Sequence, residues 1–495
     1  MKLQLILIIT QSIISILKNK YNWVIFVFII NIFSNTLYSK TLSEYLSSQT
    51  YNKSLSFWHK ANRLGALDKD PVIFSSNFSS NNLKYNYSLS IYSNRYKQIK
   101  FVLPIGYISR STNNFELKIG RWSEIITNES SLSSGSLLIS KNALPIPKIS
   151  FRHKTYKNIS IFNFPLSIKI GVSHGWMSKE NYIKAPFLHE KYLYIKKQIN
   201  NQTNLTVGLV DEAMWGGETE SHGKQADSFS DFIRVITYSS AAKSGIPQER
   251  INSLGNHLGV WDISIQRIQK NLELKLYYQH PFEDRSGAYQ YFFDEIKALK
   301  FPSKSLDGLF GIEMINNKSK FLQLFLYEYI NTMNQSGREA ASDSTYGWDN
   351  YYNHYIYQSG WVNQGRVIGN PLFTLGSNFG HYSNSNYIIN NRIKAHHIGL
   401  SGNLSNKHKY KLFLTYSKNY GIYYDKNRFY NEKKIYDFER GIKQFSSLFE
   451  LSFNNILKNI DISVSYSLDR GKLLNDNQGF LLVFYYKLTN LSSSQ

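Results

Sequence analysis

The densest grouping of catalytic residue types in this 495-residue chain is His280-Pro281-Phe282-Glu283-Asp284. An imidazole beside two carboxylates could form a metal site or an acid/base pair. The proline interrupts regular structure, and no second histidine cluster stands at a metal-ligand spacing, so loop hydrogen bonding is the expected role. Asp211-Glu212 and His396-His397 promise less, because neighbours in a strand project to opposite faces rather than toward one substrate. A glycosidase would need two carboxylates converging across a sugar, and sequence spacing does not set that. There is no HExxH and no P-loop. The chain has no cysteine, which removes disulfides, thiolate metal sites and a cysteine nucleophile together. No catalytic residue, metal ligand or cofactor is expected.

Other segments suit contact with sugars, where rings stack on pyranose faces and charged groups pair with acidic substituents. Trp215-Gly216-Gly217-Glu218 and the run from Tyr351 to Trp361 are of this kind. The competing role for such aromatics is anchoring at a membrane interface or packing inside a barrel.

The elements that would position them are strands. In Ile460-Asp461-Ile462-Ser463-Val464-Ser465-Tyr466-Ser467-Leu468 every even-numbered residue is apolar or aromatic and every odd-numbered one polar. Leu166 to Ser173, Tyr85 to Tyr92 and Leu272 to Gln279 follow the same period, as does Lys411 to Ser417, where Phe413 breaks the polar face. Aromatics make up 15% of the chain, with 37 Tyr and 31 Phe, as strands and interfacial girdles favour. Mean hydropathy is −0.36 and long apolar runs are scarce after residue 40, so a bundle of membrane-spanning helices is excluded. At roughly 20 to 28 residues per strand and connection, the chain could supply about 16 to 20 strands. A soluble sandwich shows the same alternation. The segments Ser130 to Gly135, Ser239 to Gly255 and Asn334 to Asn350 read as long loops, the expected ligand-facing surface.

At the amino terminus, Leu3 to Leu17 and Trp23 to Phe33 are apolar and flank the basic Lys18-Asn19-Lys20. The second stretch reads as a signal peptide ending near Ser39; the alternative is that the two form a helical membrane anchor. The expected division is residues 1–39 for targeting, 40–81 for a periplasmic lead and 82–495 for an outer-membrane barrel. Within the lead, Leu42 to Leu46 and Phe57 to Leu64 could each form a helical turn or two. The net charge of +22 suits an acidic polysaccharide or the phosphates of outer-membrane lipid. A Lys-rich coding bias would give the same charge. Nucleic acid is excluded as a partner, since neither a recognition motif nor a compact basic domain is present.

Several strings resemble, in order, the Wzi-type capsule assembly family. They are Leu132-Ser133-Ser134-Gly135-Ser136-Leu137 with Asn142 to Ile149, Phe187 to Lys191, Met214 to Gly217, Gly255 to Asp262, Tyr277 to Asp284, and Tyr351 through Leu372. The similarity runs from about Phe57 to the end. It implies an all-β fold: an antiparallel transmembrane β-barrel of roughly 18 strands with a short, partly helical periplasmic lead, placed at the cell surface in the outer membrane. It further implies a non-catalytic lectin that helps attach or assemble capsular polymer. A porin-like channel is the alternative that the same strands support. Within the lectin reading, the ligand contacts are expected among Trp215, Glu218, His257, Trp261, Trp361 and Arg366.

Overall fold

The structure is a computed structural model. It describes residues 40–46, 55–66, 72–81, 86–94, 100–283, 307–335, 349–376, 387–422 and 438–488, apart from breaks of one to three residues within these stretches. Asp284, most of Asn334 to Asn350, the polar tail after Leu488 and residues 1–39, which are expected to serve targeting, lie outside the described residues.

A single 19-stranded antiparallel sheet closes on itself, because Lys40–Leu46 pairs with Val72–Asn81 on one side and with Asn477–Leu488 on the other. Lys148–His153 and Lys157–Ile161 lie end to end along the same edge of Phe164–Trp176. The nineteen segments therefore occupy eighteen places around the ring. Among the described residues closure leaves only the outer side of Lys157–Ile161 without a partner strand. The strand read from Ile460 to Leu468 is Ile460–Gly471, and its serines 463, 465 and 467 face inward, buried, while Val464 is exposed on the outside.

The long connections all lie at one end of the barrel, which also carries the five-residue turn 472–476. At that end run 47–71, 122–147, 216–255, 283–307, 332–392 and 420–441. At the other end are the tight turns 201–202, 270–271 and 404–407 and their equivalents, the longest being 317–323. The first and last strands both have their free ends at the short-turn end. That asymmetry is the pattern of outer-membrane barrels.

The apolar residues point out. Ile119, Phe151, Ile170, Leu193, Ile265, Leu276, Ile312 and Phe449 are exposed, while Lys118, Ser150, Ser173, Ser264 and Glu313 face inward and are buried. This inverse partition fits a wall facing hydrocarbon around a polar lumen. Among the described residues no helix is long and apolar enough to cross a membrane.

The segment expected to be a separate lead differs from that reading. Leu42 to Leu46 is strand rather than helix, and both Lys40–Leu46 and Val72–Asn81 are part of the barrel sheet. Phe57–Lys60 is helical, as expected, but it sits in the lumen. There Trp58 Nε1 donates to Thr415 Oγ1 at 3.1 Å, and His59 Nε2 lies 3.0 Å from Ser465 Oγ.

Candidate functional site

Three inserted segments meet inside the ring: 55–66, 130–147 and 349–376. Their joint packing explains the run of polar but buried residues there. Ser133 Oγ donates to Glu328 at 2.6 Å, and Ser134 donates to the same carboxylate through both its backbone N–H, at 2.8 Å, and its hydroxyl, at 2.7 Å. Tyr277 OH completes the set at 2.5 Å. Beside it, Gln279 Oε1 accepts from Ser136 Oγ and the Leu137 N–H, both at 3.1 Å. His397 Nε2 donates to the Leu132 carbonyl at 2.8 Å, which leaves Nδ1 to accept from Thr415 Oγ1. Ser133, Ser134 and Ser136 thus donate to two acceptors on the barrel wall, Glu328 and Gln279.

The 349–376 segment locks this insert from its other side. Trp361 Nε1 donates to the Leu138 carbonyl at 2.9 Å, and Tyr352 OH to the Leu137 carbonyl at 2.5 Å. Asn370 Nδ2 donates to the Gly135 carbonyl, and Asn363 Nδ2 to the Leu144 carbonyl. Trp58, Tyr351, Tyr357 and Trp361 are among the most deeply buried large side chains. Each such ring contributes roughly 1.5–3 kcal/mol by leaving water. The inserts form a packed plug, continuous with the main hydrophobic core.

The rest of the lumen wall is charged. Lys148 donates to both oxygens of Glu190 at 2.7 and 2.6 Å, Arg152 pairs with Glu116 at 2.5 Å and with Glu124, and Lys275 meets Glu313 at 3.1 Å. Three further lysines have no carboxylate partner among the described residues. They lie over tyrosine rings, Lys118 at 3.7 Å from Tyr107, Lys169 at 5.6 Å from Tyr192 and Lys196 at 5.7 Å from Tyr156. Tyr192 and Tyr194 can lie flat because the facing residues are Gly171 and Gly208, where a Cβ would stand 2.4 and 2.1 Å from ring atoms.

The six expected ligand contacts are not brought together. Trp215 is buried on the outer side of the wall, stacked against Phe232 of the helix Phe229–Ile236, which lies over that wall. His257 is buried between Asp211, 3.3 Å from its Nδ1, and the Leu254 carbonyl, 3.1 Å from its Nε2, with Tyr238 stacked on its ring. Trp361 is fully buried in the plug. These three serve packing and hydrogen bonding. Trp261 shares the outward face of its strand with Ile263 and Ile265, opposite the buried Asp262 and Ser264, where a girdle aromatic belongs. Arg366 is half-buried and donates to the Lys60 carbonyl.

Glu218 is exposed and sits on the surface at the long-connection end. It pairs with Lys184 at 3.2 Å across the small sheet formed by Ile183–Lys184, Glu218–Thr219 and Gly223–Lys224. Beside that sheet the exposed Tyr355 ring meets His222 edge-on at 4.8 Å. Glu180 accepts from the backbone N–H groups of Gln364 and Gly365, and burial pushes its carboxyl above the usual range against the pull of those bonds. An exposed ring beside His222, which adjoins the small sheet carrying Glu218 and Lys184, can stack a pyranose while that sheet bonds its hydroxyls. Sequence reasoning included Tyr355 only within a run of aromatics and passed over His222 entirely; nothing in the local sequence distinguishes the exposed tyrosine from its buried neighbours Tyr351, Tyr352 and Tyr357.

The catalytic groupings dissolve. His280 Nδ1 lies 2.9 Å from the Asp307 carbonyl, and Glu283 accepts the Tyr352 N–H at 2.8 Å, so each holds a loop. Among the described residues no three His, Asp or Glu side chains are grouped to hold a metal ion.

The family profile of capsule assembly protein Wzi matches residues 72–395. Among solved structures, Wzi of Escherichia coli, an outer-membrane protein involved in group 1 capsule assembly and described as a carbohydrate-binding β-barrel, superposes with a TM-score of 0.54. Identity is 13%, over 95% of this chain and 89% of that one. OccK5 and OprD of Pseudomonas aeruginosa give TM-scores of 0.43 and 0.41 at 10% and 9% identity, covering 91% and 92% of this chain and 98% and 94% of theirs. No curated protein matches the sequence.

Proposed function

The chain belongs to the Wzi capsule assembly family, and from that premise we propose that it is a non-catalytic outer-membrane barrel that binds capsular or related surface polysaccharide and helps hold it at the cell. The observation that carries this reading over a porin-like channel is the plug: Glu328, Gln279 and His397 on the wall all bond the insert that fills the lumen. A channel would keep that path open.

In this reading the long connections face outward and the short turns face the periplasm. The surface around Tyr355, His222 and Glu218 is then presented to polymer. The net charge of +22 favours an acidic polymer, since clustered cations concentrate polyanions nearby. The outward apolar belt supports contact with outer-membrane lipid.

Deleting the gene tests it. Polymer synthesis should continue while polymer appears in the medium instead of on the cell. Unchanged retention of surface polymer would overturn the proposal.

A further inference from the structure

Below the plug lies a cavity of about 190 Å³ whose chemistry nothing above uses. Trp58 and Phe413 form an aromatic wall, their rings 5.0 Å apart. Arg63, Lys141 and Lys411 supply three cations. One carboxylate, Glu450, is shared between two of them, 3.7 Å from Arg63 and 3.0 Å from Lys411. The Lys141 ammonium has no carboxylate partner among the described residues. Asn62 gives its Nδ2 to the Ser134 carbonyl, but its Oδ1 is buried and accepts from no donor among the described residues.

Each of these features leaves something over. Three cations against one carboxylate leave an excess of positive charge, and in a partly desolvated cavity that excess attracts an anion more strongly than at an open surface. A buried acceptor without a donor costs about 1–3 kcal/mol until a donor arrives. An aromatic wall favours the C–H face of a sugar ring. A bare inorganic anion would satisfy the first but not the other two. A neutral sugar would satisfy the last two but not the first.

Lys411 is the fourth residue of His408–Asn419 counted from the short-turn end, so the cavity lies in that half of the lumen. Across the lumen, Lys118, Lys169 and Lys196 keep the approach from that end positive.

We propose that this cavity binds a single anionic sugar residue, such as a uronic acid, entering the lumen from the short-turn end. The acid group pairs with Lys141 and the neighbouring cations, a sugar hydroxyl donates to Asn62 Oδ1, and the ring lies against Trp58. The inference extends the polysaccharide reading to a second site, separate from the surface around Tyr355.

The test uses the full chain in detergent, with D-galacturonic acid as the probe and D-galactose as its neutral counterpart, followed by calorimetry. Galacturonate should bind at least about tenfold more tightly than galactose, the worth of one charge-assisted hydrogen bond. Lys141→Gln changes an exposed side chain and should weaken galacturonate binding by a similar factor; Trp58→Phe should weaken both sugars. Tyr355→Ala should leave galacturonate binding unchanged. Absent binding, equal binding of the two sugars, or full binding by Lys141→Gln would each overturn the cavity assignment. If Tyr355→Ala abolishes binding and Lys141→Gln does not, the ligand sits on the outer surface: the cavity is refuted and the proposed function stands.

Discussion

Ser133 Oγ stands 2.6 Å from Glu328 Oε1, joining an insert to a barrel strand 195 residues away in sequence. The same carboxylate takes two bonds from Ser134 and one from Tyr277. Replacing Glu328 with alanine leaves these donors buried and unpaired, at about 1–3 kcal/mol each. Glu328→Ala should therefore loosen the plug before it dissolves the barrel. In planar bilayers the parent protein should show no stable open conductance, and Glu328→Ala should show frequent openings. A variant as closed as the parent would mean that other contacts hold the insert.

Acid should loosen the plug from its other side. Burial, then the nearby His257 and His222, hold the His354 imidazole down at about 4 against an ordinary 6.5. Its Nδ1 accepts the N–H of Ile356 at 3.2 Å, which protonation forbids. Because the folded value lies below the unfolded one, this stability is full above pH 6.5 and is lost as pH falls through 4. The shift corresponds to about 3 kcal/mol at most. Near-ultraviolet circular dichroism of the plug aromatics should change between pH 6.5 and 4, and His354→Asn should remove that step. An identical acid transition in His354→Asn would assign it elsewhere.

Glu249 behaves with the opposite sign. Burial, partly offset by the Gly255 N–H, raises its carboxyl from 4.5 to about 7. The folded value now exceeds the unfolded one, so its stabilisation is full below pH 4.5 and is lost as pH rises through 7. The connection 216–255 should accordingly become more sensitive to limited proteolysis at pH 8 than at pH 5, by an amount within about 3 kcal/mol of local stability. Glu249→Gln, neutral throughout, should flatten the dependence. A pH response surviving that change would exclude Glu249 as its source.

How legible this was depended on which neighbour decided each residue's role. Strand alternation is a local property, and the runs around Ile460, Leu166 and Leu272 are strands. The fault at Phe413 marks the one inward apolar residue of that run, and it is apolar because Trp58 packs on it. The loop reading of Ser130 to Gly135 was correct in kind but not in place, since its wall partners Glu328 and His397 lie 194 to 265 residues away and turn a loop into a plug. Trp215 and His257 carry the residue types of a sugar site, yet the helix Phe229–Ile236 and Tyr238 cover them. Composition marks a residue as able to touch ligand; only the fold decides whether something else covers it first.

Gly171 offers a direct measure of how tightly the lumen wall is fitted. A Cβ there would lie 2.4 Å from Tyr192 Cζ and 2.5 Å from its hydroxyl oxygen, far inside van der Waals contact. The ring would have to lift away, taking with it the seat of Lys169, whose ammonium lies 5.6 Å from the ring centre. Gly171→Ala should cost about 1–3 kcal/mol, the range for forced overpacking. It should lower the temperature at which the folded band converts on a heat-modifiable gel. Tyr192→Leu removes the clash and the cation's partner together, so in the double variant the glycine change should cost little beyond the tyrosine change alone. Fully additive losses would show that the two residues do not press on one another, and that the glycine is required by its backbone instead.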